Sequence, residues 1–221
     1  MGAKITPAME IRFDHLVIAA RTLPEGVAWV ESRLGVPMGP GGRHDLMGTH
    51  NRLLSLGPGR FLEVIAIDPG APSPGRPRWF DLDASYMRER LAVGPALVTW
   101  VARTDAIEGA LSALAIGEPE VLALSRGAYR WRIGVPASGA LALGGVAPTL
   151  IEWEGDHPAA ALPDTGCRLE ALELAHPEAG AILSSLRAHG LAAGEPVVAR
   201  AQGAGLFARL RTQCGTCDLR S

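Results

Sequence analysis

The sequence predicts an α+β fold: two βαβββ modules whose sheets curl into a cup, followed by a partial third βαββ unit. Three observations predict it. Ala20-Arg21-Thr22, Leu34-Gly35 and Pro37 return as Ala102-Arg103-Thr104, Ile116-Gly117 and Pro119, every pair 82 positions apart. In both copies an apolar run precedes the matched residues and a short amphipathic segment follows. The strand-then-helix pattern then starts a third time, at 169–175 and His176-Pro177-Glu178. A fixed offset marks a duplicated unit, and the seam between copies is where a ligand site is expected.

Residues 11–20 read as a strand, apolar and partly β-branched. Thr22 can cap the helix after it, Pro24 suits the first turn, and Val27, Val30 and Leu34 form its buried stripe until Gly35 stops it. Gly39-Pro40-Gly41-Gly42 reads as a loop, with a short strand expected at 43–46. Strands at 49–56 and 61–67 are joined by Gly57-Pro58-Gly59, a hairpin signal. The first module therefore spans 11–68, and the Pro- and Gly-rich stretch after it opens a linker over 69–93. The second module, 94–160, repeats the plan with a strand at 97–102, a helix at 105–115, and strands at 121–124, 129–135 and 149–154. The third unit, 166–214, offers a strand, a helix ending at Gly190, and a hairpin of 197–201 with 206–210.

Composition narrows the function classes. A chain of 221 residues with 48% hydrophobic content and a net charge of −2 has neither a basic face for nucleic acid nor an acidic tail. Lys4 is the only lysine, which argues against Schiff-base chemistry. No apolar stretch suits a signal peptide or a membrane span, and three cysteines fit a reducing compartment, so a cytoplasmic location is expected. Cys214-Gly215-Thr216-Cys217 has redox or zinc spacing but no second pair. No nucleophile elbow and no phosphate-binding glycine turn is present.

Strand alternation selects the candidate site. If Leu16, Ile18 and Ala20 face the helix, His15 and Val17 face the other way. On 61–67, Leu62, Val64 and Ala66 pack inward and Glu63 joins His15. In the second module Ile151 and Trp153 are expected to pack, leaving Glu152 beside Glu63. One histidine and two carboxylates on a concave surface suit a divalent metal such as Zn, Mn, Fe or Ni. The bland alternatives are a hydrogen-bonded strand histidine and an edge-exposed glutamate.

Several motifs together resemble the glyoxalase-like domain family of the vicinal oxygen chelate superfamily. They are Asp14-His15-Leu16-Val17, Gly48-Thr49-His50-Asn51-Arg52-Leu53-Leu54, Phe61-Leu62-Glu63, Arg78-Trp79-Phe80, Tyr129-Arg130-Trp131-Arg132 and Pro148-Thr149-Leu150-Ile151-Glu152-Trp153. The resemblance spans 11–191 and implies paired βαβββ modules around a cup, with metal ligands His15 and Glu63 from the first and Glu152 from the second. The 82-residue offset sets Leu97 opposite His15, where leucine cannot bind a metal. His50 can replace the missing ligand, although alternation leaves open whether His50 or Asn51 faces the cup.

The expected activity is a metal-dependent lyase, isomerase or dioxygenase acting on a small molecule with vicinal oxygens. In it the metal is a Lewis acid, Glu152 a third ligand or general base, and Asn51, Arg52, Thr99 and Arg132 contact substrate. The rival expectation is a metal-free protein of the same fold that sequesters a small apolar or aromatic compound, with Trp100, Trp131 and Trp153 as candidate linings. A homodimer is compatible with either.

Overall fold

The computed structural model describes residues 9–221. β1 (Ile11–Ala19) leads into α1 (Leu23–Leu34), where Thr22 accepts a hydrogen bond from the Glu25 amide and Gly35 closes the helix at φ 69°. That left-handed position favours glycine. β2 (Gly41–His44), β3 (Thr49–Ser55) and β4 (Phe61–Ile67) complete the first module. The short strand therefore lies earlier than the 43–46 expected, taking in the two glycines assigned to a loop. The reason is close packing: a Cβ on Gly41 would sit 1.9 Å from the Asn51 carbonyl oxygen, so only glycine fits β2 against β3 there.

The segment 69–93 is more than a linker. It holds α2 (Ser85–Val93), anchored by Met87 and Leu91, and buries Trp79 and Phe80. The second module consists of β5 (Ala96–Thr104), α3 (Ile107–Leu114), β6 (Pro119–Arg126), β7 (Tyr129–Pro136) and β8 (Thr149–Glu154). The third unit runs β9 (Arg168–Ala175), α4 (Ala179–Ala188), β10 (Val197–Arg200), β11 (Gly205–Thr212) and β12 (Gly215–Arg220).

Eight strands form one curled sheet in the order β2-β3-β4-β1-β5-β8-β7-β6. β1 and β5 are its antiparallel seam, and each is parallel to the last strand of its own module. The four strands of the third unit form a second sheet, β10-β9-β11-β12. The expected hairpin between 197–201 and 206–210 is absent: β10 and β11 flank β9, one parallel and one antiparallel.

The large sheet is buried on both faces, which sets the site's environment. Its convex face carries Phe13, Leu16, Ile18, Leu97 and Trp100 against α1, α3 and the small sheet. Its concave face carries Val17, Val98, Val101, Trp131 and Ile133, roofed by Trp79, Phe80 and Met87. Two apolar layers around one sheet follow from the need to bury both sides. Among the described residues no helix is long and apolar enough to cross a membrane.

Candidate functional site

The seam strands carry a matched irregularity. Phe13 pairs with Ala102 and His15 with Val101, so Asp14 is an extra residue in β1; Val17 pairs with Thr99 and Ile18 with Leu97, so Val98 is extra in β5. The two bulges are related by 84 positions, not 82, and the register equates His15 with Thr99. Leu97 is therefore the counterpart of Phe13, and both pack in the convex core. The expected opposition of Leu97 and His15 is corrected by this slip. Bulges re-aim side chains next to sites, and here one turns both Asp14 and His15 away from the convex core.

His15 stands at the centre of the concave face, stacked on Phe61 with ring centroids 4.3 Å apart. Its Nδ1 lies 2.6 Å from Asp14 Oδ1, and its Nε2 lies 3.6 Å from Glu63 Oε2. Glu63 Oε1 accepts a hydrogen bond of 2.5 Å from Asn51 Nδ2. Asn51 Oδ1 in turn accepts from the Gly42 amide at 2.9 Å and from Arg126 at 2.7 Å. These two donors fix the amide orientation, so Nδ2 must point at Glu63 and at His44 Nε2, 3.3 Å away. His44 Nδ1 is left to donate to Thr49 Oγ1 at 3.0 Å. Behind the site, Asp14 Oδ2 accepts from Trp153 Nε1 at 3.1 Å and sits 2.9 Å from His157 Nε2. His157 Nδ1 accepts from the Ala159 amide, so its Nε2 carries the proton toward Asp14.

These contacts set the charges. Burial opposes ionisation of His15, but the Asp14 hydrogen bond and the charges of Asp14 and Glu63 outweigh it and lift the imidazole to about 9. Burial likewise acts against the Glu63 charge, and His15 together with Asn51 overcomes it, bringing Glu63 down to about 2. Asp14 is held well below the usual carboxylate range despite its burial, by His15 and His157. His44, desolvated between Trp79 and Trp131, drops to about 4 and is neutral. The site is thus an imidazolium between two carboxylates, with a neutral imidazole beside it.

Around this network lies a small cavity of about 30 Å³, walled by Leu53, Trp79, Phe80, Trp131, Ile133 and Trp153. Its space admits a small head group and not a whole ligand.

The candidate residues divide sharply. His15, Glu63 and Asn51 meet in the cup, whereas His50, Arg52, Thr99, Arg132 and Glu152 do not line it. Asn51, not His50, faces inward; His50 lies behind β3, 4.0 Å from Asp68. Arg52 is exposed on the outer face of the same strand. Thr99 is buried in the seam and donates to the Gly145 carbonyl at 3.1 Å.

Glu152 is a reversal of face. Ile151 and Trp153 point into the cup, so Glu152 points outward, where it accepts from the Ile107 amide at 2.8 Å and pairs with Arg132 at 2.7 Å. It serves the α3 N-terminus, for which Ala106 supplies no side-chain cap. Arg132 is held by Glu152 and Glu108. By register the second-module counterparts of His15 and Glu63 are Thr99 and Thr149. Cys214 lies in the β11–β12 turn and Cys217 within β12, both as free thiols.

His44, Arg126, Asp14, Trp79 and Phe80 complete the site without having been singled out as candidates. Asp14, Trp79 and Phe80 stood inside motifs that were legible; His44 and Arg126 enter the cup only because the sheet curls its two edges together.

A paired-module cup with its polar residues at the seam defines a protein of the vicinal oxygen chelate superfamily. The glyoxalase-like domain model matches residues 13–190, and the chain belongs to that family. None of the curated proteins matches it. Among solved structures, a hypothetical protein from Staphylococcus aureus is 12% identical, covering 95% of this chain and 84% of its own, at a TM-score of 0.53. Methylmalonyl-CoA epimerase from Mycobacterium tuberculosis is 18% identical, covering 73% of this chain and 97% of its own, at a TM-score of 0.40.

Proposed function

We propose that this protein is a small-molecule enzyme that moves a proton at a carbon next to a carbonyl group, using His15 and Glu63 without a resident metal. The observation that carries the reading is His15 itself: a buried imidazolium gripped by Asp14, with its Nε2–H facing Glu63 in an apolar cup.

The donor set argues against the expected Zn, Mn, Fe or Ni. The Asn51 amide directs one N–H at His44 Nε2, occupying the free lone pair of that neutral imidazole, and its other N–H at Glu63 Oε1, leaving Oε2 as the open carboxylate oxygen. Among the described residues no three His, Cys, Asp or Glu side chains converge as a coordination group. Glu152, the expected third ligand, serves α3 instead.

The chemistry follows from the charges. A carbonyl oxygen placed near Nε2 takes the His15 proton, or a strong hydrogen bond, as negative charge develops on it. The same event removes the His15 charge that faces Glu63 at 3.6 Å, and with it much of the cause of the low Glu63 pKa. Glu63 takes the proton of the neighbouring carbon in the same step: the C–H pair becomes the enol double bond, the carbonyl pair moves to oxygen and takes up the His15 proton, and Glu63 gains basicity as His15 loses charge. Asn51 holds the carboxylate in place, and Trp79 and Phe80 keep water out.

The test is solvent deuterium exchange, followed by NMR, on chelator-treated protein with a panel of 2-oxo acids and dicarbonyls. Wild type is expected to accelerate α-carbon exchange, and His15→Gln or Glu63→Gln to lose about 100-fold or more. Exchange that needs added metal, or exchange on no member of the panel, overturns the reading. The aromatic lining favours a second one, metal-free sequestration of a small compound; its signature is tryptophan quenching with no exchange.

A further inference from the structure

Beside the cup lies a second and larger cavity, a groove of about 740 Å³ whose walls include Pro40, Tyr129, Pro158 and Leu162. Leu53 and Arg126 line both spaces. Arg126 closes β6 where that edge of the sheet meets β2, and its side chain crosses Gly42: a Cβ there would sit 2.5 Å from Arg126 Cδ. The guanidinium therefore forms the partition between groove and cup.

Its bonding is incomplete. Arg126 donates one hydrogen bond, to Asn51 Oδ1 at 2.7 Å, and lies 5.8 Å from the Tyr129 ring centroid. Among the described residues no carboxylate comes within ion-pair distance of it; Glu63 steadies its charge only from across Asn51, and a guanidinium offers five donors. It is half-buried, and burial disfavours its charge. A desolvated cation with free donors facing a groove is an anion receptor.

We propose that Arg126 reads the carboxylate of an organic acid whose body lies in the groove and whose exchangeable carbon, next to its carbonyl, reaches the cup. The placement of that carbon rests on the proton-transfer reading; the carboxylate site does not. One side chain sets the charge. Arg43, the other groove arginine, is paired with Asp68 at 2.8 Å, and Asp45 adds a negative charge to the wall. A single planar fork suits a carboxylate, whereas a phosphate dianion would be under-neutralised there. Asn51 links the two functions, since the same amide accepts from Arg126 and donates to Glu63. The cup admits only a small head, so the bulk of the ligand must stay outside the partition.

The experiment uses phenylacetate and phenylpyruvate as acids and phenylacetamide as the neutral control, read by tryptophan fluorescence and calorimetry. Wild type is expected to bind the acids and to bind the amide about 10-fold more weakly or worse. Arg126→Gln is expected to lose about 10-fold or more for the acids with no change for the amide. Arg126→Lys, which keeps the charge, should recover part of the loss and guards against misfolding. Equal binding of acid and amide, no binding of either acid, or Arg126→Gln at wild-type affinity overturns the proposal. His15→Gln separates the two readings: acid binding should persist while exchange is lost. Acid preference in a wild type that catalyses no exchange leaves the carboxylate site standing and removes the proton-transfer reading.

Discussion

Asp14 Oδ1 lies 2.6 Å from His15 Nδ1, and these neighbours in sequence share a face only because Asp14 is a bulge residue. In a regular strand they would point to opposite sides of the sheet. The bulge makes adjacent residues into a hydrogen-bonded acid–base pair, backed by His157 and Trp153.

Asp14→Asn tests that pair. It leaves the imidazolium between one carboxylate and a neutral amide, so the His15 pKa should fall. Breaking a buried pair from one side typically costs about 3–5 kcal/mol. Denaturant melts should show a loss of that order at neutral pH, and an NMR titration of His15 should move to lower pH. An unmoved titration would mean that Asp14 does not govern the imidazole.

Stability should peak near the ordinary histidine value of 6.5, because two buried histidines are shifted in opposite directions. His15 rises from 6.5 to about 9, so its contribution is full below 6.5 and is lost as pH climbs through 9. His44 falls from 6.5 to about 4. Between those values the unfolded chain binds the proton and the folded one does not, so stability drops as pH falls from 6.5 to 4. Glu63, brought from 4.5 to about 2, adds a further loss as pH falls through that range. Each histidine limb is on the order of 3 kcal/mol. Melts from pH 4 to 9 should show the peak, with His15→Gln flattening the alkaline limb and His44→Gln the acid one.

How far the site was legible depends on what alternation can see. His15 and Glu63 were readable because a polar residue in an apolar strand must have somewhere to go, and the cup was that place. Glu152 was not, for a physical reason: the sheet is apolar on both faces, so Ile151 and Trp153 read equally well as core or as cup lining. Leu97 misled because the 82-residue offset of the turn and helix does not hold in the seam strands, whose pairing relates the two copies by 84 positions. The fold itself was readable from the repeat and its strand lengths. His44 and Arg126 belong to edge strands that meet only when the sheet curls, and nothing local in the chain encodes that meeting.

Glu152→Ala should therefore behave as a cap mutation. Its carboxylate serves the first amide of α3, and losing such a cap costs about 1 kcal/mol. Deuterium exchange should be unchanged. A loss of exchange comparable with that of Glu63→Gln would return Glu152 to the catalytic role its motif suggested.

Gly41 and Gly42 are adjacent glycines with different duties, and alanine at each should separate them. A Cβ on Gly41 meets backbone, the Asn51 carbonyl oxygen at 1.9 Å and its carbon at 2.6 Å. That clash can be relieved only by parting β2 from β3, so Gly41→Ala should be strongly destabilising, on the order of 3 kcal/mol or more. A Cβ on Gly42 meets only the Arg126 side chain, which can swing away into the groove. Gly42→Ala should keep most of its stability yet bind phenylacetate about 10-fold more weakly, because the guanidinium loses its place beside Asn51. Thermal melts and the binding titration together distinguish the two outcomes. Equal destabilisation by both substitutions would mean that Arg126 is fixed by the strand edge rather than resting against it.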